Sequence, residues 1–459
     1  MDMERFYKGL LAAILVLAIS NVAAQIGSTR RTFRAAVVKV DITPTLPKQL
    51  LGYAARLSTG VNDKIHHRIV VLDDGTKKFV IASTELCLVS PSEYDHLAGL
   101  VKQRLNIDPI DFWWTMSHTH SAPEVGVPGL AEVFMGDRYK HLVDTAYTTF
   151  VKQTLIMGIE QAIRKLEPAR MVAGWGFSQA NINRRAIDVD GKATLGLNPD
   201  GATDRRIGLI RIEKRDGKPM ALLTNYPIHG TVLGQESTKI SGDVTGIVSQ
   251  YVEDSTGATV LFINGAAGNL APIYSVYPNP QAGHLNQFRV LLGNKILEAN
   301  RRLGPGTDSV RLFSSSTIVE SPRKKGLRWP SYLSSYTRTT GEGVNMVRLP
   351  IRFLRINDEV AIWAAPLELF CEISNEVRDR SPFPFTFFYG YTNGWLGYLP
   401  TEKDWTHGGY EVEVVSPFTP AIQQHITHAV VGYLHGELRY GQSNVTAPAP
   451  ARSVRRRGR

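Results

Sequence analysis

At 459 residues, 43% hydrophobic and 20% charged, the chain has an ordinary globular composition, with length enough to bury a large core in one or two domains. Of the formal charge of +10, half lies in five arginines among the last eight residues, so the body is only mildly basic and no nucleic-acid partner is expected. Two cysteines, Cys87 and Cys371, exclude a disulfide framework and read as buried thiols in apolar surroundings.

Taken in chain order, Arg5 and Lys8 precede an apolar run over residues 10–19, and Val22-Ala23-Ala24 supplies a small-x-small site before Gln25. This is the pattern of a signal peptide over 1–24, about half the apolar length needed to span a bilayer, and it implies a secreted or periplasmic protein. Residues 34–42 read as a first strand. Gly52-Tyr53 opens a loop carrying His66 and His67. Strands over 69–72 and 79–86 flank the hairpin signal Asp73-Asp74-Gly75. A helix over 92–105 precedes the strand 112–116. A long helix follows at about 139–166, then strands at 171–175, 207–212 and 221–225. Beyond these come a helix at 244–254, a strand at 258–263, the turn Asn264 to Asn269 and a helix over 284–303. The last third holds strands at 310–319, 347–356, 361–365 and 385–391, with helices after Glu368 and over 421–438. The tail from 441 reads as disordered and basic, fit for peripheral contact with a membrane or other anionic surface. This alternation predicts an α/β fold: a large mixed central sheet, or sheets, flanked by helices, in a single catalytic domain over about 30–440.

Chemistry collects at strand ends. The strand 112–116 delivers Ser117-His118-Thr119-His120-Ser121-Ala122-Pro123. In extended backbone His118 and His120 project to one side. By themselves they serve equally as zinc ligands or as idle loop histidines. His229, the turn Asn264 to Asn269 and Glu368 also lie just past apolar strands, where α/β sheets gather ligand sites. Two histidines and a carboxylate, His118, His229 and Glu368, make a set that binds zinc and leaves an open position. His425 and His428 read instead as a polar helix face.

In sequence the chain resembles the neutral/alkaline non-lysosomal ceramidase family. The resemblance rests on Val40-Asp41-Ile42-Thr43-Pro44, Gly52-Tyr53, the 117–123 loop and Tyr226-Pro227-Ile228-His229-Gly230. It continues through Ser241 to Gly246, Gly265 to Pro272, Pro366-Leu367-Glu368, Gly397 to Glu402 and Gly409-Tyr410-Glu411, collinear from about 34 to 440. It implies hydrolysis of the amide bond of ceramide or a related N-acyl lipid, with one zinc per chain and zinc-activated water. It implies zinc ligands His118, His229, Glu368 and Tyr398. It places His120 and Tyr410 at the reacting carbonyl, with Arg184 as an active-site arginine and Arg185 as the alternative. Two departures stand out. Where the family carries Gly-Asp-x-Ser-Pro, this chain has Gly268-Asn269-Leu270-Ala271-Pro272, so Asn269 and Ala271 line the expected substrate pocket without a serine hydroxyl. The arginine tail stands where the family continues into an immunoglobulin-like domain. The expectation is a hydrolase of altered specificity. The alternatives are a non-catalytic binding protein of the same fold, or an esterase or amidase acting outside the sphingolipids.

Overall fold

Eight strands form the larger sheet: Arg34–Asp41 (β1), His66–Asp73 (β2), Lys78–Thr84 (β3), Phe112–Met116 (β4), Glu167–Phe177 (β5), Arg206–Lys214 (β6), Pro219–Tyr226 (β7) and Thr259–Asn264 (β8). Their order is β8-β7-β6-β5-β1-β2-β3-β4. All neighbours are antiparallel except the two outer pairs, β7–β8 and β3–β4, which are parallel. A second sheet holds Leu312–Pro322 (β9), Asn345–Ile356 (β10), Val360–Ala364 (β11) and Phe385–Tyr389 (β12) in that order, with β11–β12 parallel. The computed structural model describes residues 32–45, 47–139, 141–273 and 285–436; the expected signal peptide and basic tail lie outside them.

The layers follow from side-chain alternation. On β2, Val70 and Leu72 pack with Ile362 and Phe387 of the second sheet, whereas Ile69 and Val71 face helices Pro91–Leu105 (α1) and Thr145–Arg164 (α2). Helices Asp243–Thr256 (α3) and Asn294–Arg302 (α4) pack with Leu209, Leu222 and Val260 of the same sheet. Cys371–Asp379 (α5) and Ile422–Leu434 (α6) cover the outer face of the second sheet around Phe353 and Trp363. The result is a helix–sheet–sheet–helix stack. Strands apolar on both faces, such as the fully buried Phe112–Met116, are what such burial demands. The expected α/β architecture with mixed sheets is the one observed. Cys87 and Cys371 are buried and unpaired.

Each parallel pair requires a crossover, and α1, α3 and α5 supply the three. The carboxyl ends of all three pairs lead into the same region, which brings the loops after β4, β7, β8, β11 and β12 together.

Three elements differ from expectation. The long helix begins at Thr145, because Asp144 caps it by accepting from the Tyr147 amide (2.8 Å); short helical turns, Leu130–Phe134 and Gly136–Tyr139, precede it. His66 and His67 lie in β2 rather than in a loop; the His67 ring bonds Thr84 Oγ1 (2.7 Å) and the Val151 carbonyl (3.0 Å). Strands Asn181–Ile187 and Ala193–Asn198, absent from the sequence reading, form a hairpin that pairs with Leu270–Pro272.

Candidate metal centre

His118 leaves β4 in the left-handed region, φ 65°, with its amide bonded to the Leu86 carbonyl (2.9 Å). Its loop is stitched to the loop of His229: Thr119 bridges Gly230, the His120 amide donates to the Gly230 carbonyl (2.8 Å), and the Gly230 amide returns to His118. A Cβ on Gly230 would stand 2.6 Å from the His118 carbonyl oxygen, so only glycine permits this approach. Beyond the second sheet, Glu368–Leu369 pairs in parallel with Tyr398–Leu399 in a separate two-stranded sheet.

Three side chains converge: Glu368 Oε2 is 3.2 Å from His118 Nε2 and 3.1 Å from His229 Nε2. A fourth lies beside them, with His120 Nε2 3.2 Å from His118 Nε2. The outer nitrogens decide the tautomers. His118 Nδ1 faces the Cys87 carbonyl (3.0 Å), and His229 Nδ1 faces the carbonyls of Ala267 (2.8 Å) and Leu270 (3.0 Å). A carbonyl only accepts, so each Nδ1 carries the proton. Each neutral ring then points a bare Nε2 lone pair at a carboxylate oxygen, in a site where all three residues are at most 2% exposed. Such an arrangement is repulsive unless a cation lies between. Without one, a proton must substitute. Burial opposes charge on His118, but the Glu368 carboxylate outweighs it and lifts the His118 pKa to about 10. Burial, then Arg184, pulls His229 down to about 4. Glu368, despite burial, is held well below the usual carboxylate range by His118 and His229. Two imidazole nitrogens, a carboxylate oxygen and a fixed outer hydrogen bond behind each ring fit a zinc ion.

The neighbouring groups divide into those that reach this point and those that do not. Tyr398 does: its hydroxyl is 3.3 Å from His229 Nε2 and 3.1 Å from Arg184 Nη2. Burial, then the Glu368 charge, raises its phenol pKa well above the ordinary value. Arg184 is buried against Glu411 (3.0 Å), which also holds Arg185 (2.6 Å); Arg185 turns to Asp404 and Gly408. Of the two arginines, Arg184 is the one beside Tyr398. His120 is kept uncharged by burial and by the neighbouring imidazoles, and its Nδ1 has no hydrogen-bond partner among the described residues. Tyr410 stands at the rim, its ring 6.1 Å from that of Tyr398 and its hydroxyl on Met135 Sδ (3.4 Å). Two residues that sequence reasoning passed over touch the acid: Tyr391 bonds Glu368 Oε2 (3.3 Å) and Trp395 Nε1 donates to Oε1 (2.9 Å). They follow β12 as His118 follows β4, so the strand-end rule that found the histidines extends to them.

Comparison with known proteins decides the family. The family model "Neutral/alkaline non-lysosomal ceramidase, N-terminal" matches residues 33–268, half of the chain. The chain belongs to the neutral/alkaline non-lysosomal ceramidase family. Neutral ceramidase A of Dictyostelium discoideum is 25% identical over 319 residues, covering 61% of this chain and 41% of its own length. Neutral ceramidase B of the same organism is 24% identical over 297 residues, covering 59% and 39%. The chain thus spans about two fifths of these curated relatives. The crystal structure of neutral ceramidase from Pseudomonas aeruginosa shares the fold at a TM-score of 0.69 and 18% identity, over 91% of this chain and 76% of that one. A structure titled ceramidase complexed with C2 gives 0.71 and 17%, over 91% and 77%.

The segment that carries Ala271 runs beside the centre. Ala271 lies in Leu270–Pro272 opposite Ile182, one residue after the Leu270 carbonyl that anchors His229. The Asn269 side chain bonds the start of α5: its oxygen accepts from the Cys371 amide (3.0 Å) and its nitrogen donates to Glu372 (2.7 Å).

Proposed function

We propose that the protein is an exported, zinc-dependent hydrolase of the amide bond of a ceramide or related N-acyl lipid, with one zinc per chain. The observation that carries this reading is the meeting of two bare imidazole nitrogens on Glu368 Oε2 in a buried site. His118, His229 and Glu368 would hold the ion, with the Tyr398 hydroxyl as fourth ligand. Bound zinc supplies a water of near-neutral pKa and polarises the substrate carbonyl. Arg184 orients the Tyr398 hydroxyl. His120, neutral and beside His118, is able to accept a proton at Nε2. Tyr410, at the rim, is placed to meet the substrate as it enters. The relatives named neutral ceramidase support the amide substrate. Export on residues 1–24, a single domain over about 30–440 and surface contact through the arginine tail belong to the same reading.

Ala271 favours one second reading, an esterase or amidase acting on a non-sphingolipid substrate. The test is metal analysis of purified protein, followed by turnover of short-chain ceramides, N-acyl amino acids and simple esters. About one zinc per chain with fatty-acid release from the ceramides is expected. Zinc below about a tenth of an equivalent after reconstitution would overturn the proposal. Turnover confined to esters or N-acyl amino acids would select the second reading.

A further inference from the structure

The two oxygens of Glu368 have different surroundings. Oε1 receives the indole N–H of Trp395 at 2.9 Å; Oε2 faces both histidines and receives the Tyr391 hydroxyl at 3.3 Å. An indole N–H only donates, so the bond to Trp395 takes up a lone pair of Oε1 and resists any swing of that oxygen towards a cation. Tyr391 makes a second contact: its ring stacks on His118, centroids 4.1 Å apart and planes at 24°. Both aromatic residues are buried, at 0% and 2% exposure.

The backbone that places them is strained. Tyr391 and Asn393 have φ of 53° and 64°, a region where a bulky aromatic residue is an outlier. The surroundings over-determine it. The Tyr391 amide donates to the Leu367 carbonyl and its own carbonyl accepts from the Met116 amide, both at 3.2 Å. Asn393 clamps Trp114, its amide giving to the Trp114 carbonyl and its Oδ1 receiving the Trp114 amide, both at 2.8 Å. The loop thereby ties the strand that delivers His118 to the segment that delivers Glu368.

We infer that Tyr391 and Trp395 are a pair of positioning residues that leave Glu368 one oxygen for the metal and fix the plane of His118. The inference rests on the zinc reading above and deepens it. A carboxylate limited to one oxygen keeps a coordination position free for water or substrate.

The test is chelator-competition measurement of the zinc dissociation constant for the wild type, Trp395→Phe and Tyr391→Phe, together with visible spectra of the cobalt-substituted proteins. The expected results are zinc bound about 10- to 100-fold more weakly by Trp395→Phe and about tenfold more weakly by Tyr391→Phe. The cobalt band of Trp395→Phe should weaken, as Oε1 enters the coordination sphere and the coordination number rises. A purely structural role would leave that band unchanged. Should Trp395→Phe fail to fold, Tyr391→Phe, which deletes one oxygen atom, carries the affinity test. Wild-type zinc binding with variant constants within twofold and unchanged spectra would overturn this inference alone. A wild type that takes up no zinc overturns the functional reading, and this inference with it.

Discussion

Glu368 and Tyr398 face one another on a single rung of a two-residue parallel ladder, so both side chains leave the same face of the same small sheet. That rung, built from the segments that follow the last strands of the second sheet, completes a centre whose histidines follow strands of the first. It also makes Tyr398 testable apart from folding. Tyr398→Phe keeps the ring, and Arg184 keeps Glu411. The expected outcome is zinc affinity reduced at least tenfold, with the metal-free melting temperature within about 3 °C of the wild type. Chelator competition and calorimetry measure the two. Unaltered affinity would remove Tyr398 from the ligand set.

Gly52 fixes the position of His120. At φ 112° it lies in a region that favours glycine, and a Cβ there would stand 2.5 Å from His120 Cγ. The His120 ring also meets Tyr53 edge-on, centroids 4.9 Å apart. Gly52→Ala should therefore displace His120 while leaving His118, His229 and Glu368 in place. The expected result is kcat lowered at least tenfold with zinc content unchanged, read from steady-state kinetics and metal analysis of the same preparation. Loss of zinc in step with activity would show that His120 acts as a ligand.

Acid stability should depend on a buried pair away from the centre. Arg68, 3% exposed, contacts Glu85 and Glu253, both at 2.7 Å. Burial raises the Glu85 pKa, but Arg68 and His66 outweigh it and bring it to about 2 in the folded state, against an ordinary 4.5. A folded pKa below the unfolded value gives stability that is full above 4.5 and is lost as the pH falls through 2. Wild type should lose denaturant resistance across that window. Glu85→Gln should be about 3–5 kcal/mol less stable at pH 7, because Arg68 loses a buried partner, and should show a flatter acid limb. Urea midpoints at pH 7, 4 and 3 check this; parallel acid limbs would exclude Glu85 as the titrating group.

How far the centre could be read from sequence depended on whether local pattern or tertiary contact determined each part. His118, His229 and Glu368 were legible because each follows an apolar strand, and strand ends gather in α/β folds. The hairpin 181–198 was not. For Arg184 and Arg185 the motif leaves the choice open, and both are at most 7% exposed because Glu411 and Asp404, more than 200 positions away, neutralise them. Tyr391 and Trp395 were passed over for a similar reason. Aromatic residues after an apolar strand read as core until the second sheet sets them against Glu368. The motif places Asn269 in the substrate pocket; that its side chain also bonds the first residues of α5 depends on where residues 371 and 372 lie in space.

Ala271 offers the sharpest test of where the nucleophile originates. It is 4% exposed, and serine adds a single oxygen at that position. If water is the nucleophile, a hydroxyl there is dispensable, and Ala271→Ser should change kcat/KM for a short-chain ceramide by less than tenfold, under about 1.4 kcal/mol of barrier, with zinc content constant. The comparison is run on one ceramide and one simple ester. A gain of a hundredfold or more on the ceramide alone would make the absent hydroxyl, rather than the metal centre, the element that separates this chain from ceramide cleavage.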